Sequence, residues 1–268
     1  MAQGVRRQRL NLSSQSRLDV GGDPRQMRRA GRHDHGDNLV GPGHRHVSFS
    51  ASAPSASAEL DHLVIVAPSL AAGARFVARA IGVKMMPGGE HPYMGTHNLL
   101  LRLGDATYLE VIAINPAVLG PGRPRWFALD RLAAGDEPSL ATWVARTSDI
   151  GWARAASLTN LGSIETMRRG SFRWRITIPT DGGLVHGGLV PSLIQWDSAM
   201  HPAASMPDSG CSLAALEAFT ANPRLLREQL DSLGLSESVA ISAYRGTHSA
   251  PKLLAHINTP AGKRLLSS

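Results

Sequence analysis

Between Leu60 and Ala67 the stretch LDHLVIVA, β-branched and largely apolar, predicts a strand. Pro68 and Ser69 then open a helix: Ser69 suits the N-cap, Leu70, Ala74, Val77 and Ile81 make an apolar stripe, and Gly82 is the stop signal. A short strand at 83–86, the turn MPGGEHPYMG and the strands THNLLLRL and TYLEVIAI follow. The order then repeats. LATWVART reads as a strand, Asp149 to Gly162 as a helix with a weaker apolar face, and FRWRITIP and VPSLIQWD as strands. A third round follows: LAALEAFT, a helix from Asn222 to Gly234 with Pro223 at its first position, then VAISAY and KLLAHINT. Ala214 stands there where the first round has His62. Self-similarity of this kind marks repeated structural units.

The first two rounds also match in their polar positions. His62 and Glu110 sit in the first and last strands of the first, 48 residues apart; Trp143 and Gln195 occupy the matching places in the second, 52 apart. The correspondence predicts a pocket between paired sheets. A carboxylate inside YLEVIAI is expensive unless paired or ligating. Three roles stay open for Glu110: an ion pair with His62, a shared metal, or a general base with a raised pKa. His62, beside Leu-Val-Ile, also fits a core histidine with satisfied partners.

Loops on rigid sheets commonly carry function, and His91–Asn98 gathers many hydrogen-bonding groups before a strand. His97, Asn98 and Thr96 are read as ligand contacts, with plain turn duties as the alternative for Thr96 and Asn98; His91 is assigned to turn or solvent. Arg125-Trp126 and Arg173-Trp174-Arg175 pair guanidinium with indole. Arg125 and Arg175 suit a rim that binds an anion, or equally a surface stack on tryptophan. Trp196 is read as core, and His186, His201, His248 and His256 receive no role. No nucleophile elbow, phosphate-cradling loop or dinucleotide fingerprint appears, which disfavours covalent hydrolysis and nucleotide chemistry.

Charge divides the chain. Residues 1–57 hold nine arginines and four aspartates, a net +5, whereas residues 58–268 hold 19 basic and 17 acidic side chains. The first segment, rich in Arg, Gly, Ser and His, predicts a disordered basic tail, and 58–268 a near-neutral globular domain. Arg28, Arg29 and Arg32 lack interleaved aromatics, so nucleic acid is disfavoured as a partner, and His33, His35, His44 and His46 do not suggest a dedicated metal site. No apolar run suits a membrane span. The lone Cys211 excludes an intramolecular disulfide framework and fits a reducing, cytoplasmic setting.

The segments LDHLVIVAPSL, HPYMGTHNLLLRLG, YLEVIAI, GRPRWFALD, RWRITIP and LVPSLIQWD resemble the glyoxalase-like branch of the vicinal oxygen chelate superfamily, from about Leu60 to Thr259. The resemblance implies an α+β fold of paired βαβββ modules whose curved mixed sheets surround a cleft. Module one is expected over 60–115, module two over 138–198 and a partial third module over 210–260. It implies metal ligands at His62, Glu110, Trp143 and Gln195. Here the pattern departs: tryptophan cannot ligate, so a divalent metal (Zn, Ni, Mn or Fe) would rest on His62, Glu110 and Gln195. The expected activity is that of a lyase or isomerase moving a proton on a small carbonyl compound. Glu110 and His62 are the catalytic pair, and His97, Asn98, Thr96, Trp143, Gln195, Arg125 and Arg175 bind substrate. The rival reading is a non-catalytic protein that sequesters a small molecule; a homodimer is left open.

Overall fold

The computed structural model describes residues 58–244 and 250–268. The tail at 1–57 and His248 lie outside the described residues.

Module one runs β1 (Glu59–Val66), α1 (Leu70–Ile81), β2 (Met86–His91), β3 (Thr96–Gly104) and β4 (Thr107–Ile114). Module two runs β5 (Ser139–Arg146), α2 (Ile150–Ala156), β6 (Ser163–Arg169), β7 (Phe172–Ile178) and β8 (Ser192–Trp196). Together they form one eight-stranded sheet in the order β2-β3-β4-β1-β5-β8-β7-β6. β1 and β5 pair antiparallel at its centre; β1 runs parallel to β4, and β5 to β8, so the halves mirror one another. The outer strands β2 and β6 come into contact, and the sheet curls into a half-barrel.

The third round has the same element order but pairs differently. β9 (Ser212–Thr220), α3 (Pro223–Asp231), β10 (Ala240–Ala243), β11 (Lys252–Thr259) and β12 (Gly262–Ser267) form a separate sheet ordered β10-β9-β11-β12. Its first strand lies parallel to its second, where β1 lies parallel to its module's last. Leu216, Leu253 and Ile257 of this sheet join Leu63, Ile65 and Val77 in one buried core on the convex side of the large sheet. The concave side carries a second core, including Val64, Ile112, Val144 and Ile176.

Local chemistry explains the helix starts. Ser69, Asp149 and Asn222 each accept a backbone N–H as N-cap, and Gly82 closes α1 in the left-handed conformation. Several elements depart from expectation, among them β12, which was not foreseen, and α3, which ends at Asp231. The turn read at MPGGEH is the edge strand β2, where Pro87 is tolerated and a bulge falls between Pro87 and Gly89. α2 ends at Ala156, short of Gly162. That glycine instead lets the start of β6 approach β7: a Cβ there would lie 2.0 Å from the Ile178 carbonyl oxygen. The polar SIETMRR, which shows no strand-like apolar face, is β6.

Candidate functional site

The site grows from a β-bulge. Leu60 pairs with Ala145 and His62 with Val144, leaving Asp61 as the extra residue of β1. A bulge turns adjacent side chains toward the same side, so Asp61 and His62 both reach the concave face. Asp61 is fully buried. Its Oδ1 lies 2.6 Å from His62 Nδ1, while Oδ2 accepts from Trp196 Nε1 at 2.8 Å and from His201 Nε2 at 3.0 Å. His201 Nδ1 accepts from the Ala203 amide, which leaves the ring proton on Nε2 facing Asp61.

From His62 the array continues to β4. His62 Nε2 lies 3.5 Å from Glu110 Oε2, and Asn98 Nδ2 donates to Glu110 Oε1 at 2.5 Å. Tyr108 stacks on the imidazole with ring centroids 4.4 Å apart. These groups settle one another's charge. Burial opposes the imidazolium, yet the hydrogen bond to Asp61 and the facing Glu110 carboxylate outweigh it and raise His62 to about 9. Burial likewise opposes an ionised Glu110, but the facing His62 imidazolium, helped by the Asn98 hydrogen bond, holds it well below the usual carboxylate range. Asp61 is driven down in the same way by His201 and His62, against its burial. The general base with a raised pKa is therefore not what is found: Glu110 rests ionised, because a cation and an amide donor face it.

A narrow cleft, its cavity only about 20 Å³, opens over this array. His62 and Glu110 share its lining with Tyr108 and with an aromatic wall of Trp126, Trp174 and Trp196. His91 belongs to that wall rather than to solvent; its Nδ1 lies 3.0 Å from Thr96 Oγ1, and burial pushes its pKa down to about 4, leaving it neutral. Phe127 and Ala128, next to Trp126, adopt left-handed backbone angles that cost free energy in any non-glycine residue.

The residues singled out in the sequence divide between the two faces of the sheet. His62, Glu110, Asn98 and Thr96 come together on the concave side. Trp143 and Gln195 do not. Trp143 points into the convex core and donates from Nε1 to the Leu189 carbonyl at 3.0 Å. Gln195 accepts from the Ile150 amide at the start of α2. Each is one residue out of phase with the cleft, and successive strand residues face opposite sides; Val144 and Trp196 hold the inward places. His97, flanked by the inward Thr96 and Asn98, faces away, beside its cross-strand partner Glu90. Arg125 is committed to Asp130 at 2.5 Å and Arg175 to Asp197 at 3.0 Å, so neither forms a rim of this cleft. Asp61, His201, Tyr108 and His91 are the members that were missed. The acid directly before His62 was the one signal available, and only a bulge makes it meaningful.

The donor set does not fit a divalent ion. Once Trp143 and Gln195 face the other side, only two of the four expected ligands, His62 and Glu110, look into the cleft. Among the described residues no group of three or more His, Cys, Asp or Glu side chains is placed to hold a metal.

With this geometry in view, the family of the glyoxalase-like domain matches residues 60–234. The chain belongs to that family. It is thereby a member of the vicinal oxygen chelate superfamily, and the curled sheet is its fold. Among solved structures, a hypothetical protein from Staphylococcus aureus is 14% identical, with 78% of this chain and 84% of that chain covered at a TM-score of 0.48. A mutant of 4-hydroxymandelate synthase from Streptomyces coelicolor is 14% identical over 79% of this chain and 63% of that one, with a TM-score of 0.37. Methylmalonyl-CoA epimerase from Mycobacterium tuberculosis is 18% identical over 57% and 96%, with a TM-score of 0.33. No curated protein matches the chain. Among the described residues no helix is long and apolar enough to cross a membrane.

Proposed function

We infer that this glyoxalase-like protein moves a proton on a small carbonyl compound, as a lyase or isomerase, using its own side chains rather than a metal. The observation that carries the reading is the buried array Asp61–His62–Glu110 at the floor of an aromatic cleft. Fixed charges in a desolvated site act strongly on charge that develops during reaction. His62, held by Asp61, presents an Nε2–H that suits a carbonyl oxygen gaining negative charge. The 3.5 Å separation from Glu110 is too long for a firm hydrogen bond, so this proton is free to turn toward an incoming oxygen. Doing so weakens the interaction that keeps Glu110 acidic. Its basicity rises when substrate is present, and it is then suited to take a proton next to the carbonyl.

The test is deuterium exchange next to the carbonyl in heavy water, followed by NMR over a panel of small aldehydes, ketones and their thiol adducts. Wild-type protein is expected to accelerate exchange for a subset, and Glu110→Gln to lose at least about 100-fold of it. Compounds that bind the cleft yet exchange equally in wild type and variant contradict the catalytic reading. They would support sequestration instead, a reading favoured by one observation: protein donors already satisfy both buried carboxylates.

A further inference from the structure

We propose that the ligand of this cleft carries a carboxylate, and that Arg169 at the seam of the half-barrel is the group that binds it. The inference rests on the reading of the cleft as a site for a carbonyl compound and names the class of that compound: an oxo acid.

Arg169 ends β6, where the curled sheet brings β6 against β2. It lines the inner cleft and also a wider groove of about 480 Å³ beyond it, formed with Gly88, Gly89 and Phe172. One guanidinium thus stands where two cavities meet. Its side chain is half-buried, and among the described residues no carboxylate pairs with it. Its guanidinium carbon lies over the Phe172 ring, 5.8 Å from the centroid. Arg123, Arg125, Arg131 and Arg175, by contrast, each have an acidic partner. The backbone leaves room for it: a Cβ on Gly89 would lie 2.7 Å from Arg169 Cδ. Its charge also reaches inward, lowering the pKa of His91 after the larger effect of burial.

Two further observations orient the ligand. Asp61, His62 and Glu110 together carry one net negative charge, so an anionic group is repelled from the floor and must sit at the mouth, where Arg169 stands. Within the wall, the buried Trp126 Nε1 has no acceptor among the described residues. A buried donor left without a partner is costly, and a ligand oxygen entering the cleft beside Trp126 would satisfy it. Carboxylate at the seam and carbonyl toward His62 and Trp126 is the arrangement that answers all three features.

The experiment is calorimetric titration of the full chain at neutral pH with 2-oxopentanoate and with its methyl ester, in which a neutral methoxycarbonyl replaces the carboxylate at the anchoring end. The acid is expected to bind and the ester to bind at least about tenfold more weakly. Arg169→Gln should weaken acid binding to the level of the ester, Arg169→Lys should retain part of it, and Arg168→Gln, on the neighbouring exposed arginine, should change nothing. Equal affinity for acid and ester, no binding of either, or acid binding indifferent to Arg169→Gln each overturns the proposal. Deuterium exchange on the same samples separates the two readings. Arg169-dependent binding without exchange leaves the anchor standing and removes the catalysis. Exchange that ignores Arg169 does the reverse.

Discussion

The two modules of the large sheet share a topology and divide the work. Module one turns Asp61, His62, Asn98 and Glu110 toward the cleft. At the mirrored places module two presents Val144, Ile194, Trp174 and Trp196. One half supplies charge and the other a desolvating aromatic wall, joined by the indole of Trp196 donating to Asp61. A duplicated frame thus needs only one polar half-site. The low-dielectric half strengthens the interactions of the polar half, and it makes any broken pair there more damaging.

The largest effect on stability should come from the carboxylate that links the halves. Asp61→Leu strands the His62 imidazolium and leaves Trp196 Nε1 and His201 without their acceptor. Urea unfolding is expected to show a loss of about 3–5 kcal/mol. A loss under 1 kcal/mol would mean that the halves are not coupled through Asp61.

Dependence on pH is the next test. His62 has its pKa raised from 6.5 to about 9, so the stability it contributes is complete below 6.5 and is lost as pH rises toward 9. His91 is lowered from 6.5 to about 4, because burial disfavours its charged form; the unfolded chain takes up that proton first, so stability falls as pH drops from 6.5 to 4. Glu110 and Asp61, both depressed, add to the loss on the acid side. Thermal unfolding across pH should peak near 6.5. Replacing His91 with Gln should shallow the acid limb, leaving the part due to Glu110 and Asp61, without touching the alkaline limb, and a peak displaced to pH 9 would contradict the assignment of His62.

The smallest effect is reserved for the residues that face the other way. Gln195→Leu removes the acceptor for the Ile150 amide at the start of α2, and Trp143→Phe removes the bond to the Leu189 carbonyl. Each is expected to cost about 1 kcal/mol in unfolding and to leave ligand binding in the cleft unchanged. A marked loss of binding in either would reopen module two as a polar half-site.

These outcomes also explain what the amino-acid sequence made legible. Most of the element order followed from periodicity and caps: Ser69, Gly82 and Asn222 sit where they must, while β6 and β12 were left out. Glu110 was legible because a carboxylate in an apolar strand demands a partner. Trp143 was misread because β5 is buried on both faces; such a strand shows no alternation from which to tell inside from outside, and a slip of one residue inverts every side chain. Arg169 and β6 were passed over because SIETMRR has no apolar face. The importance of Asp61 depends on a single extra residue in the ladder, which no local pattern announces. His201 joins the array from the connection after β8, where sequence spacing gives no hint of its partner.

The central claim is that module one keeps a charged imidazole buried opposite Glu110. Nitrogen-15 NMR of histidine-labelled protein measures this directly through the ring shifts of His62 between pH 6 and 10. Both ring nitrogens are expected to stay protonated through neutral pH, with a titration midpoint near pH 9. A single neutral tautomer of His62 at pH 7 would contradict it.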